Sequence, residues 1–188
     1  RPVAEKRYIY YVESSPENQL QPRLHRQEYA KPGDELPYKE PRIFEVETDR
    51  VFCPSTALFS TPYEVSRLRW DSDSRALTFE YNERGHKVYR LLEFSAVTGE
   101  VKTLIEEQEE KYVNYTRIYR HHLQDGRRII WSSERDNYNH LYLYDRRSRK
   151  PARQITKGAW YVRGVQHVDE EKQQIYFSAN GMNTQEDP

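Results

Sequence analysis

The residues ALTFEY, 76–81, place Leu77, Phe79 and Tyr81 on one face, the period-two pattern of a half-buried strand. NERGHK follows with the turn residues Asn82 and Gly85, and KVYRLLEF at 87–94 resumes an extended apolar pattern. Gly99 in AVTGE marks a second turn before VKTLI. Three strands joined by two hairpin connections are predicted.

The same order returns further on as RIIW (128–131), SSERDNYNH, LYLYD, RRSRKPAR and QIT. Tyr89 and Tyr142 take matching places 53 residues apart, and Leu104 and Ile155 lie 51 apart. A third copy begins at QQIYFSANGMN, where Phe177 follows Trp131 by 46 residues. Each copy is preceded by a candidate strand, SRLRW (66–70), YTRIYR (115–120) or VRGVQHV (162–168), and then by a tight turn: DSDS, QDG or DEEKQ. A four-stranded unit repeating every 40 to 50 residues or so is the signature of a β-propeller blade. The fold class expected is therefore all-β, part of a β-propeller with about three to four four-stranded antiparallel blades.

The N-terminal quarter is less regular. RYIYYV (7–12) and RIFEVET (42–48) read as strands, and Pro16, Pro22, Pro32, Pro37 and Pro41 lie between or beside them. This segment is expected to be an ordered extended insertion or a flexible link, with any strand there confined to an edge. The expected divisions are an incomplete blade over 1–60, blades over 61–112 and 113–160, and the start of another over 161–188. The acidic run EEQEEKY at 106–112 reads as a solvated connector, and no long helix is predicted.

Composition sharpens this in two ways. Hydrophobic residues make up only 36% of the 188 and mean hydropathy is −1.08, values that raise disorder. Sixteen Tyr, six Phe and three Trp argue against it, since each can bury a broad face while a polar tip finds a partner. Thirty Lys and Arg balance thirty Asp and Glu, leaving no overall field to attract nucleic acid. No apolar run is long enough for a membrane span. The start at Arg1, without Met or an apolar leader, reads as a mature product or an excised piece.

Candidate chemistry is sparse. Ser132, Asp136 and His140 have the residue types of a catalytic triad, but a triad is normally assembled from distant elements and these share one hairpin. Glu134, Asp136, Asn137 and Asn139 are expected instead to cap backbone amides within that turn. The lone Cys53 excludes an internal disulfide and reads as a packed or idle thiol. His25, His86, His121, His122, His140 and His167 form neither HxxxH nor HExxH, so no metal site is expected. GxSxG, GxGxxG and the P-loop are missing, so neither a nucleophile elbow nor a cofactor is expected in this chain. Arg146, Arg147, Arg149 and Lys150 read as a solvated basic turn.

The stretches ALTFEYNERGHKVYRLLEFSAVTGEVKTLIEE, IIWSSERDNYNHLYLYD, RQITKGAW and VDEEKQQIYFSANGMN resemble the N-terminal eight-bladed propeller of bacterial dipeptidyl peptidase IV-type serine peptidases, in the prolyl oligopeptidase group. The opening VESSPENQLQPRLHRQEYAKPGD looks like a long inter-strand connection of that propeller, so the resemblance spans essentially the whole chain. It implies that the catalytic Ser, Asp and His belong to an α/β-hydrolase domain outside this sequence, mostly C-terminal to the propeller. It also implies that the paired glutamates holding the substrate amine lie upstream of the matched part. Glu106–Glu107, Glu109–Glu110 and Glu170–Glu171 do not stand in the matching context.

One position carries over. By that resemblance, Arg117 in YVNYTR lies near the place where the family propeller turns an aromatic residue and an arginine toward the substrate cavity, with Thr116 in place of the expected aromatic. The implied partners are a peptide substrate, a hydrolase domain of the same polypeptide and, for an open propeller edge, further copies of the chain. The implied parent is periplasmic, secreted or membrane-associated. A stand-alone propeller that binds protein or peptide remains the alternative, because propellers host many functions.

Overall fold

A computed structural model describes residues 9–29, 31, 34, 38–183 and 185. The expected strand residues Arg7 and Tyr8, together with Pro32 and Pro37, lie outside the described residues. The chain divides into two compact units, 1–40 and 41–188.

In the first unit, β1 (Ile9–Ser14) pairs antiparallel with β2 (Arg23–Glu28), with Ile9 opposite Glu28 and Ser14 opposite Arg23. The Pro-rich segment thus contains a hairpin, not only a connection. Tyr10 is framed by Tyr29 at 4.6 Å and by the Lys31 ammonium at 3.7 Å from its ring centre.

The second unit opens with a small hairpin of β3 (Ile43–Glu45) and β4 (Arg50–Phe52). RIFEVET is therefore not one strand: the chain turns back, with Asp49 in the left-handed region at φ 55°. A 3-10 turn (Thr56–Leu58) leads into the first full sheet. Its strands, in spatial order, are β5 (Pro62–Trp70), β6 (Ala76–Glu83), β7 (Val88–Ser95) and β8 (Val101–Gln108). The second full sheet contains β9 (Arg120–His122), β10 (Arg128–Ser133), β11 (His140–Asp145) and β12 (Lys150–Gln154). Finally β13 (Tyr161–Asp169) pairs with β14 (Gln174–Asn180). The protein is all-β, with two four-stranded and three two-stranded sheets among the described residues.

The repeat is real, but its register differs from the Tyr89–Tyr142 match. Phe79 pairs with Leu92 and Trp131 with Tyr142, so Tyr142 corresponds to Leu92. Sheet pairing fixes side-chain facing, which similarity of residue type alone does not. Trp131 and Phe177 do correspond, each standing fourth in its strand.

Successive sheets stack through three apolar cores. Phe59, Leu77, Phe79 and Phe94 pack with Ile43 beneath the small hairpin. Leu91, Ile105, Trp131 and Tyr144 join the two full sheets, and Leu141, Ile130 and Val162 continue toward β13 and β14. Central strands are consequently covered on both faces. All residues from Ala76 to Asn82 are buried, where alternation predicted a half-buried strand. The second face of β6 is polar, with Thr78, Glu80 and Asn82: Thr78 donates to the Arg69 carbonyl and Asn82 meets His86 within the same sheet, while Glu80 also reaches Arg120 of the next sheet.

Two further expectations change. Tyr115–Arg117 is a 3-10 turn, closed by Arg117 N–H to Asn114 O and Ile118 N–H to Tyr115 O, so the strand begins only at Arg120. Val113 and Ile118, on either side of this turn, both reach the core. The acidic run begins as strand: β8 continues through Glu106 and Glu107 to Gln108.

Candidate functional site

The boundary between the two full sheets concentrates the charged chemistry of the chain. Near the first strands, Glu80 lies 2.8 Å from Arg120 Nε and accepts a hydrogen bond from the Tyr89 hydroxyl. The Arg120 contact is made by charge, without good hydrogen-bond alignment. Burial pushes the Glu80 carboxyl above its ordinary range, while Arg120 opposes that shift. At the opposite end of the strands, Arg146 grips Asp71 with two hydrogen bonds of 2.9 and 2.7 Å and reaches Glu93 at 2.6 Å. Arg146 is thus tied inward from its turn, whereas Arg147 and Arg149 of that turn and Lys150 at the start of β12 are exposed as expected.

Glu107 forms a third junction. It accepts hydrogen bonds from Trp131 Nε1 at 3.0 Å, Ser133 Oγ at 2.7 Å and Arg135 Nη2 at 2.8 Å. Arg135 also donates to the Tyr144 hydroxyl, and burial raises the Tyr144 phenol to about 12. All these donors come from β10, β11 or the loop between them, whereas Glu107 is on β8.

The triad candidates are drawn apart. Ser132 Oγ accepts from Tyr119 N–H at 2.7 Å and donates to the Arg117 carbonyl at 3.3 Å. His140 is buried between Thr156 Oγ1 and the Gly158 carbonyl, at 3.1 and 2.9 Å. Asp136 accepts from the Tyr142 hydroxyl and from Gln154. Ser132 and His140 are strand residues that staple neighbouring segments, and Asn139 donates its side-chain amide to the Val162 carbonyl instead of capping the turn.

The other histidines are equally dispersed. His25 contacts Ser14, His121 meets Glu170 at 3.0 Å, and His167 lies beside Tyr176. Burial, with Arg69 and Arg146 nearby, lowers His122 to about 4. Among the described residues no group of three His, Cys, Asp or Glu side chains is placed to hold a metal ion. Cys53 is exposed. No helix among the described residues is long and apolar enough to cross a membrane.

Arg117 occupies a different setting. It is exposed on the 3-10 turn that links the full sheets, and no carboxylate of the described residues pairs with its guanidinium. It borders a recess of about 20 Å³, shared with Glu107, Glu109, Ser133 and Glu134, that has room for a water molecule. Beside it on the same turn, Tyr115 stacks on His86 at 4.8 Å, with Tyr63 and Tyr112 completing an aromatic group. Sequence spacing did not reveal this group, because its members come from three separate segments.

Sheets that repeat in sequence order, pair antiparallel and stack face against face define a segment of a β-propeller. Residues 1–187 match the family described as the dipeptidyl peptidase IV (DPP IV) N-terminal region, and the chain belongs to that family. Its fold is similar to a putative dipeptidyl aminopeptidase IV from Bacteroides ovatus, with 22% identity, a TM-score of 0.66 and coverage of 92% of this chain. It is also similar to Porphyromonas gingivalis dipeptidyl peptidase 4, with 19% identity, a TM-score of 0.70 and 93% coverage. The chain spans 27% and 24% of those two proteins.

Proposed function

We propose that this chain is a non-catalytic propeller segment of a dipeptidyl peptidase IV-type serine exopeptidase. In this reading, residues 61–112 and 113–160 are successive blades. The propeller limits access to a hydrolase domain of the same polypeptide and positions peptides with Pro or Ala second from the N-terminus. Binding energy collected there orients the scissile bond for acyl transfer to serine elsewhere in the polypeptide.

The family match carries the reading, and the exposed Arg117 gives it a candidate contact. A guanidinium without an internal carboxylate partner can donate to a substrate carbonyl or carboxylate through its planar fork. The test is hydrolysis of an Xaa-Pro chromogenic amide. The full-length polypeptide carrying this segment should cleave it with serine-inhibitor sensitivity, and residues 1–188 alone should not. Cleavage by the isolated segment, or a full-length protein that binds peptide without cleaving it, would overturn the reading, the latter in favour of a binding module.

A further inference from the structure

His86 holds the Arg117 turn from two sides. It lies in the β6–β7 hairpin with φ 57°, directly after Gly85 at φ 100°. Its carbonyl accepts the Val113 N–H at 2.7 Å, and Lys87 O accepts the Glu109 N–H at 2.9 Å, so the hairpin backbone is sewn to the segment approaching the turn. Its ring stacks on Tyr115 with an interplanar angle of 22°. Tyr63, at 4.6 Å, and Tyr112, at 5.7 Å, meet the same ring in edge-type contacts. Asn82 Oδ1 stands 3.0 Å from Nδ1 and can only accept, so Nδ1 carries the proton and the ring is fixed in rotation.

We propose that His86 is a positioning residue whose aromatic face sets the placement of Tyr115 and thereby presents Arg117. This rests on the reading that Arg117 meets the peptide. A stacked ring fixes the turn at its first residue, and Arg117 is the third residue of the same turn. Two variants separate the causes: glycine accepts the left-handed conformation and deletes the ring together with its hydrogen bond to Asn82, whereas phenylalanine keeps a ring and deletes only the hydrogen bond.

The experiment uses the full-length polypeptide and the Xaa-Pro amide, measuring kcat, KM and thermal midpoint for His86→Gly, His86→Phe and Arg117→Ala. His86→Gly should raise KM roughly 2- to 10-fold, the size of one aromatic contact, with kcat and the midpoint retained. His86→Phe should restore KM to within about 2-fold of the parent, as the retained ring requires. An unchanged KM in His86→Gly beside a raised KM in Arg117→Ala overturns the positioning role alone. Failure of His86→Phe to rescue, or a joint fall of kcat and midpoint in His86→Gly, also overturns it. An unchanged KM in Arg117→Ala overturns the underlying reading and the proposal with it.

Discussion

Arg120 on β9 places its Nε 2.8 Å from Glu80 Oε1 on β6, joining two sheets through a carboxylate that is almost wholly buried. Arg67, at 3.5 Å, adds a second and more exposed cation. Removing one member of a buried pair leaves the other charge without compensation, which costs more than deleting the pair. Glu80→Ala should therefore destabilise the protein by about 3–5 kcal/mol, whereas the double change Glu80→Met with Arg120→Leu should cost much less. Denaturant unfolding of the three proteins checks this, and equal losses in both variants would contradict it.

The Glu107 junction predicts a spectroscopic change as well as a loss of stability. Trp131 is fully buried and donates its indole N–H to Glu107, while Arg135 and Ser133 donate to the same carboxylate. Glu107→Leu leaves those donors unpaired and should cost on the order of 2–4 kcal/mol. It should also alter emission from Trp131, best read in a background where Trp70 and Trp160 are replaced by Phe. Unaltered emission with unaltered stability would show that Glu107 does not bind the indole.

His122 gives the stability of the protein a pH dependence of definite sign. Burial holds its folded-state value at about 4, below the ordinary 6.5, with Arg69, Arg146 and His121 acting in the same direction and Asp71 opposing them. The folded state thus binds fewer protons than the unfolded chain between those values. Its contribution is present above pH 6.5 or so and is lost as pH falls toward 4. Glu80 acts oppositely: its raised value favours the folded state at low pH, a contribution lost as pH rises through that raised value. Comparing His122→Gln with the parent isolates the histidine, and the parent should lose about 1–3 kcal/mol more over the window. Parallel stability curves for the two proteins would refute the assignment.

Strand content, the four-strand repeat and the Trp131–Phe177 match were legible because alternating apolar residues and turn residues are local signals. The sheet-to-sheet contacts were not. Glu107 looked solvated within an acidic run, yet the strand that carries it ends beside Trp131 and Arg135, which arrive from another sheet. The polar face of β6 was misread for the same reason, since alternation reveals the two faces of a strand but not what covers the second. Tyr115–Arg117 read as strand because an aromatic, polar, basic sequence suits either state, and the bond from Val113 to His86 favours the turn. Arg117 is legible through family resemblance, whereas the ring cluster beside it forms only where three separate segments meet in the fold.

The last sheet predicts self-association of the isolated segment. Strand β14 pairs only with β13 among the described residues, whereas β6 and β10 are each flanked on both sides. Ile175 and Phe177 turn inward onto the second full sheet and line a groove of about 520 Å³, while Tyr176, on the other face, is 52% exposed. An unpaired edge beside an open aromatic face is a template for a second chain. The isolated 188 residues should therefore form concentration-dependent oligomers in sedimentation velocity. Tyr176→Lys, which places a charge on the open face without entering the groove, should shift them toward monomer. A monomer at all concentrations, or oligomers indifferent to that substitution, would rule out this surface as the site of association.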